Sequence, residues 1–338
     1  VTLSGAAQRT ADGRLSANYR LALARLAALA PDIAGSAVVT GTASGSPDAL
    51  AASATLSADA LSAGAARLDR VEAQLELPDL ARRVAHLDAK FRGAGLDGTA
   101  SAEGRLDADT LHLSRIRLAA AGTRLEGDVS LRLDRFALDG MLSATAPDLK
   151  PWSTLAGTPL AGSAELKAQL AAGKGQGLDL RLDVRALRFG GASLQPLQAT
   201  ATLGDMLAHP TGRAELQIDT AAAGPASLAS LRLRADIAGL KRLSLKGEAH
   251  GRIGEDFTLA AGADAGIDAR GIELRLTRLA GTLGKLPVGL RQPLLLTRRG
   301  SALGFADLDL GFGSGRITGA GSLGATALAL HLQAKELP

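Results

Sequence analysis

Chemistry in a protein needs reactive side chains gathered at fixed spacing, and the first candidates are the five histidines, His86, His112, His209, His250 and His331. They are scattered, with no His-x-His pair and no His-Glu-x-x-His helix of the kind that holds zinc. The chain has no cysteine, which excludes disulfides, thiolate metal sites and thiol nucleophiles together. A serine nucleophile elbow needs Gly-x-Ser-x-Gly between a strand and a helix, whereas Gly313-Ser314 lies in a glycine turn. "GAGSLG", Gly319 to Gly324, meets the G-x-G-x-x-G spacing of a dinucleotide fingerprint, yet the "ATALALHLQ" that follows alternates as a strand where the fingerprint requires a helix. "LGKL" around Lys285 lacks the loop spacing and the Ser/Thr of a phosphate loop. Acidic residues are plentiful but sit opposite arginines on alternating segments, so paired-carboxylate catalysis has no support. The sequence predicts no catalytic residue, no cofactor and no metal, and reads as a protein that is not an enzyme.

The elements that carry these residues are strands. "LDLRLDVRALRF" alternates Leu178, Leu180, Leu182 and Val184 with Asp179, Arg181, Asp183 and Arg185, the period-two signature of a strand with one dry and one wet face. The pattern returns at Leu131 and Leu133, at Leu231, Leu233, Ala235 and Ile237, and at Ile272, Leu274 and Leu276. It closes the chain at Leu308, Leu310 and Phe312 and at Leu328, Leu330 and Leu332. The expected fold is all-β: an elongated, curled sheet or repeating groove, mainly an antiparallel meander, with short helical breaks.

The 338 residues are 46% apolar, enough for a sizeable core, but only 2% aromatic, with one Trp, one Tyr and six Phe. Compact sandwiches fill the space between sheets with rings; here Leu and Ala dominate. The 38 basic and 34 acidic residues nearly cancel and are interleaved, which argues against a nucleic-acid surface, where positive charge is clustered. No apolar run approaches the roughly 18 residues of a membrane helix, and "VTLSGAAQRT" has no basic segment leading into an apolar one. The chain reads as an internal stretch of a longer protein.

A repeat organises it. "GSAVVTG" from Gly35, "GTASAEG" from Gly98, "GSAELKA" from Gly162 and "GRAELQI" from Gly212 recur at intervals of roughly sixty residues, the last one shorter. Each follows a segment that could turn as a short helix: Leu23–Asp32, the stretch from Leu77, the stretch from Ala146 and Leu203–Pro210. Asp79 and Asp148, each after a proline, fit a helix start. The expected organisation is one continuous array with approximate units 1–97, 98–161, 162–211 and 212–338. Helices are too few to cover the apolar side of such a sheet. Either the sheet packs on itself, or the face stays partly open and takes a ligand, because a long exposed apolar strip exceeds what a soluble monomer tolerates. Small side chains favour the open reading, with Leu131, Leu133, Leu180, Leu182, Val184, Leu231, Leu233, Ile237, Ile272, Leu274, Leu276, Leu308, Leu310, Phe312, Leu328 and Leu330 lining the trough. Trp152, beside Pro151, is placed at a groove end, and Tyr19 carries no specific role.

The stretch from Ile272 to Gly324, "IELRLTRLAGTLGKLPVGLRQPLLLTRRGSALGFADLDLGFGSGRITGAGSLG", followed by "LALHLQAKELP", resembles the TamB family of translocation and assembly module inner-membrane subunits, with AsmA-like proteins as near relatives. Gln292-Pro293-Leu294, Asp307 to Leu310 and Gly313 to Gly321 carry the match. "APDLKPWSTLAGTPLAGSAELKAQLAAG" from Ala146 and "NYRLALARLAALAPDIAGSAVVTGTASG" from Asn18 resemble repeat units of that family. Its conserved C-terminal domain and N-terminal anchor are not evident here. The resemblance implies a taco-shaped β-groove in the periplasm of a Gram-negative cell, anchored to the inner membrane by a segment outside this chain. It implies transfer of phospholipid to the outer membrane together with an Omp85-type, TamA-like partner reached through other parts of the protein. The alternative role it implies is a scaffold for outer-membrane protein and autotransporter clients, which would use a sheet edge. A polar-ladder solenoid fits poorly, because Asn18 is the sole asparagine.

Overall fold

A strand with one apolar side leaves its backbone donors and acceptors to be paired by neighbours on both edges, and Gly-rich turns between such strands make consecutive pairing the short route. The computed structural model describes the chain except residues 1, 12, 29–32, 47–48, 64–65, 94–96, 174, 207, 240–241, 269–270, 301, 325–327 and 337–338. It separates into two compact units, Val1–Ala172 and Gly173–Pro338.

Unit one contains β1 (Thr2–Arg9), β2 (Leu15–Leu23), β3 (Ile33–Ser46), β4 (Ala49–Ala63), β5 (Ala66–Asp79) and β6 (Val84–Arg92). It continues with β7 (Gly98–Asp107), β8 (Thr110–Ala120), β9 (Thr123–Arg132), β10 (Ala137–Ala146) and β11 (Leu160–Ala172). Every consecutive pair is antiparallel.

Unit two contains β12 (Gln176–Phe189), β13 (Ala192–Gly204), β14 (Thr211–Ala223), β15 (Ala226–Ala238), β16 (Leu243–Ile253) and β17 (Glu255–Asp268). Then come β18 (Gly271–Leu283), β19 (Leu286–Leu290), β20 (Leu294–Arg299), β21 (Ala302–Phe312), β22 (Gly315–Leu323) and β23 (Leu328–Lys335). Here β19 and β20 are two halves of one lane between β18 and β21. Pro293 ends the lane's ladder because it has no N–H to donate, and the Gln292 side chain donates to the Asp307 carbonyl across the gap at 3.2 Å. The expected all-β antiparallel meander is the observed fold.

The helical breaks are fewer than expected. The stretch from Ala146 does form one: a 3₁₀ turn at Lys150–Trp152 runs into α1 (Ser153–Ala156), and the Asp148 carboxylate accepts the Lys150 N–H at 2.8 Å. The segment from Leu77 does not. There β5 runs to Asp79 and β6 resumes at Val84, so only residues 80–83 turn, with Asp79 accepting the Ala81 N–H at 2.9 Å. In the segment Leu23–Asp32 a 3₁₀ turn covers Leu26–Ala28, and the rest after Ala28 lies outside the described residues. Around Asp205 a single turn forms, with the His209 N–H donating to the Asp205 carbonyl at 3.0 Å; residue 207 lies outside the described residues.

The sheets are creased. In β12 the apolar side chains step from Val184 to Leu187, in β13 from Leu197 to Leu194, in β14 from Ile218 to Ala221 and in β15 from Leu231 to Leu228. Each step is three residues where the pleat takes two. Ala186 sits at φ 51°, and Pro196 stands in the same line without a donor. Bulges bend the strand that carries them and increase its twist, and four in register make a fold line. Val184 and Ile218, the most buried large side chains of unit two at 7% and 6% exposure, lie along it. The apolar side is therefore the concave one. In unit one β8 steps likewise from Leu113 to Ile116; Arg115 at φ 53° leaves the ladder, and its N–H donates to the Asp128 carboxylate at 2.8 Å. Buried Val129 lies beside that step.

No leucine, phenylalanine or methionine is buried among the described residues, and the largest buried apolar side chains are Val129, Val184 and Ile218. The accessible surface is 21065 Å². Two globular chains of half this mass would together expose about 15,500 Å². A second layer over the apolar face would have closed that gap, as it does in a sandwich.

Glycine makes close backbone approach possible where the sheet bends. At Gly140, φ is 140°, and an added Cβ would stand 2.1 Å from the Asp128 carbonyl oxygen. Gly140→Val should therefore lower the stability of unit one by about 1–3 kcal/mol. A urea denaturation midpoint equal to that of the parent protein would refute this account of the bend.

Candidate functional site

Cross-strand register decides which side chains share a face, because a one-residue slip would move every side chain of a strand to the other side. In unit one the paired positions Leu3, Leu21, Val39, Leu56, Ala73, Ala89, Ala100, Leu118, Leu125, Ala144 and Leu166 form an unbroken apolar row across all eleven strands. Unit two repeats the device with Leu178, Leu203, Gly212, Ile237, Leu243, Ala265, Leu274, Leu296, Phe305, Gly321 and Leu330. Parallel rows run beside it, among them Leu180, Ala201, Ala214, Ala235, Leu245, Ala263, Leu276 and Leu294.

Register places Leu180, Leu182, Val184, Leu231, Leu233, Ile237, Ile272, Leu274 and Leu276 together on this face of unit two. Leu308, Leu310, Phe312, Leu328 and Leu330 join them, reached through the bulge at Asp307. Leu131 lies on the corresponding face of unit one, between Leu111 and Leu138. Leu133 lies one residue past the end of β9, in the β9–β10 turn, with its N–H donating to the Asp109 carbonyl at 2.7 Å.

The face is shallow and smooth. Four rings on this face lie over a glycine on the neighbouring strand: Tyr19 over Gly41, Phe91 over Gly98, Phe257 over Gly251 and Phe305 over Gly321. An added Cβ at those glycines would stand 2.3 to 2.8 Å from the ring. The missing side chain leaves room for the ring to lie flat, the arrangement known as aromatic rescue. Tyr19, without an assigned role in the sequence, thus serves to level the face. The Trp152 Nε1–H donates to Thr123 Oγ1, at the first position of β9, at 2.9 Å.

Sequence reasoning placed Ala235 in the alternation but overlooked the other alanines of this face. Ala199, Ala201, Ala214, Ala235, Ala261 and Ala263 floor a recess of about 490 Å³ walled by Leu180, Leu216, Leu233 and Leu245, within the range of ligand pockets. Their regular spacing in "QATATL", "GRAEL" and "AAGADAG" was the available signal.

The opposite face is charged and self-neutralising. Arg213 meets Asp236 at 3.0 Å, Arg234 meets Glu215 at 2.7 Å and Arg181 meets Asp183 at 2.9 Å, the last holding the Asp183 carboxyl below its ordinary range. Exposed pairs of this kind add little stability each; they keep the face wet. The histidines stay apart. His86 lies 3.6 Å from Glu103 and His112 Nδ1 is 2.8 Å from Ser130 Oγ, and no cluster among the described residues could hold a metal ion. "GAGSLG" is strand β22 as far as Leu323, with Gly319 and Gly321 lying under Leu332 and Phe305.

One pair differs. Asp309 is 5% exposed and takes two 2.7 Å hydrogen bonds from Arg316 beside the β19–β20 gap, where its backbone carbonyl also accepts the Arg291 N–H. The Arg316 guanidinium, with a smaller contribution from Arg291, holds the Asp309 carboxyl below the ordinary carboxylate value.

The fold and face define a class: a bent antiparallel meander with one open aliphatic side and one charged side. Comparison of the chain with protein-family models, with curated proteins and with solved structures finds no match.

A carboxyl whose value is depressed on folding stabilises the folded state above its unfolded value, about 3.9, and loses that contribution as pH falls through the lower folded value. Asp309→Asn should therefore melt below the parent at pH 7, and the difference should shrink below about pH 4. A constant difference from pH 7 to pH 3 would show that the pair is not the cause.

Proposed function

We propose that this chain is a lipid-transfer element whose aliphatic face holds phospholipid acyl chains. The observation that carries the reading is the pair of eleven-residue apolar rows, with Leu330 56% exposed in one of them and Leu233 41% exposed in a parallel row. Acyl chains are the ligand whose chemistry matches such a surface: each CH₂ withdrawn from water contributes about 0.8 kcal/mol. Few polar groups interrupt the rows, so a chain can shift along them without breaking specific bonds. The charged face keeps the loaded protein in water. In the setting implied by the TamB-like segments, the route would run through the periplasm from an inner-membrane anchor towards an Omp85-type partner at the outer membrane.

A second reading, a scaffold for outer-membrane protein clients, draws on β23, whose residues are all exposed. Strand addition there would use main-chain pairing. A photo-crosslinker at His331 should then capture a β-barrel precursor during assembly, and its failure while a crosslinker at Leu233 captures lipid would remove this reading.

For the leading reading, the full chain would be purified in mild detergent and its retained lipid measured by native mass spectrometry. Leu233→Asp should lower retained phospholipid on the order of tenfold, since a carboxylate against acyl chains is left without partners. Circular dichroism should stay unchanged, because Leu233 is exposed. Retention equal to the parent's would overturn the acyl-chain assignment.

A further inference from the structure

Among the described residues, the apolar face of unit two carries one charged side chain within its ladders, Arg298, apart from Glu255 at a hairpin tip. Arg298 continues the alternation Leu294, Leu296, Arg298 in β20, so it projects where a leucine would stand. Its cross-strand row is Ile267, Ile272, Arg298, Leu303, Leu323 and Leu328. All five aliphatic members are exposed, from 41% at Ile272 to 69% at Leu328. No carboxylate pairs with Arg298 among the described residues, and its Nε–H reaches only the Gly300 carbonyl, at a long 3.3 Å.

A guanidinium set among exposed methyl groups suits an amphiphile with an anionic head and an aliphatic tail. Its planar fork of N–H donors matches phosphate oxygens in paired, charge-assisted hydrogen bonds. The row lies at the rim, one position from the end of β20 and next to the full row through Leu274 and Leu296. A head held here would leave its tail lying along the groove, with the phosphate at the water boundary.

We propose that Arg298 is a headgroup site that binds the phosphate of a phospholipid whose acyl chains lie on the adjoining apolar rows. The inference rests on the acyl-chain reading and adds a headgroup preference to it.

The test uses the full chain and three probes: dioctanoyl phosphatidic acid, dioctanoylglycerol and inorganic phosphate. The expected result is that phosphatidic acid binds on the order of tenfold more tightly than dioctanoylglycerol. Arg298→Leu should abolish that preference while leaving dioctanoylglycerol binding unchanged, and Arg298→Lys should restore part of it. An undiminished preference in Arg298→Leu would overturn the site. Inorganic phosphate binding as tightly as phosphatidic acid would also overturn it, by showing a free-anion site. If the parent binds neither lipid, the acyl-chain reading itself fails, an outcome distinct from loss of the preference alone.

Discussion

The structure depends on the ladder of main-chain hydrogen bonds between consecutive strands. In most domains burial between layers supplies the main drive to fold, and hydrogen bonds chiefly avoid a penalty. Here no leucine is buried among the described residues, so side chains gain shelter mainly from their neighbours on the same face. Cross-strand contacts between adjacent Leu, Val and Ala positions are the unit of stabilisation, and they require correct register at each step. In β12 to β15 the three-residue steps are matched from strand to strand, so the apolar rows continue in register on either side of the crease.

Much of this was legible in the sequence. The alternation around Leu180, Leu231 and Leu274 fixed strand type and face, because leucine and arginine at period two admit no helical alternative. The four Gly-x-Ala motifs marked strand beginnings: Gly35, Gly98, Gly162 and Gly212 all lie within the first three residues of β3, β7, β11 and β14. Leu133 falls just past the end of β9 because alternation does not announce where a turn begins, and Asp134 and Arg135 continue the polar pattern into that turn. The segment from Leu77 reads as helical in isolation, but pairing with β4 and β6 extends it as strand, a tertiary preference that no local propensity encodes. The crease was visible as a phase jump in "LDVRALRF" and "LQPLQA"; it stands out only when four such jumps are aligned by pairing.

The two faces divide the work of the sheet. Arginine and acidic residues opposite one another cancel most charge on the wet side, so the sheet bends without accumulating repulsion. The dry side has almost no polar atom to fix a ligand's position, and four of its rings lie over glycines rather than against side chains. Arg298 is the exception on that surface in unit two, and Asp309 with Arg316 is the exception on the other side. The second pair braces the place where Pro293 interrupts a lane, so the polar cost of the break is met by one well-paired carboxylate.

Pairing only between sequence neighbours has a consequence for how such a chain can change in length. Each added hairpin needs nothing from distant parts of the sequence beyond a free edge in the right phase, as in repeat proteins whose energetics are sums of nearest-neighbour terms. Inserting two strands preserves the direction of everything after them, and inserting an even pleat preserves which side is dry. Contacts this local also close early during folding, before distant segments have emerged or met. Genetic duplication can thus lengthen the sheet in discrete steps, and the distance it spans becomes a quantity that selection can set by counting hairpins.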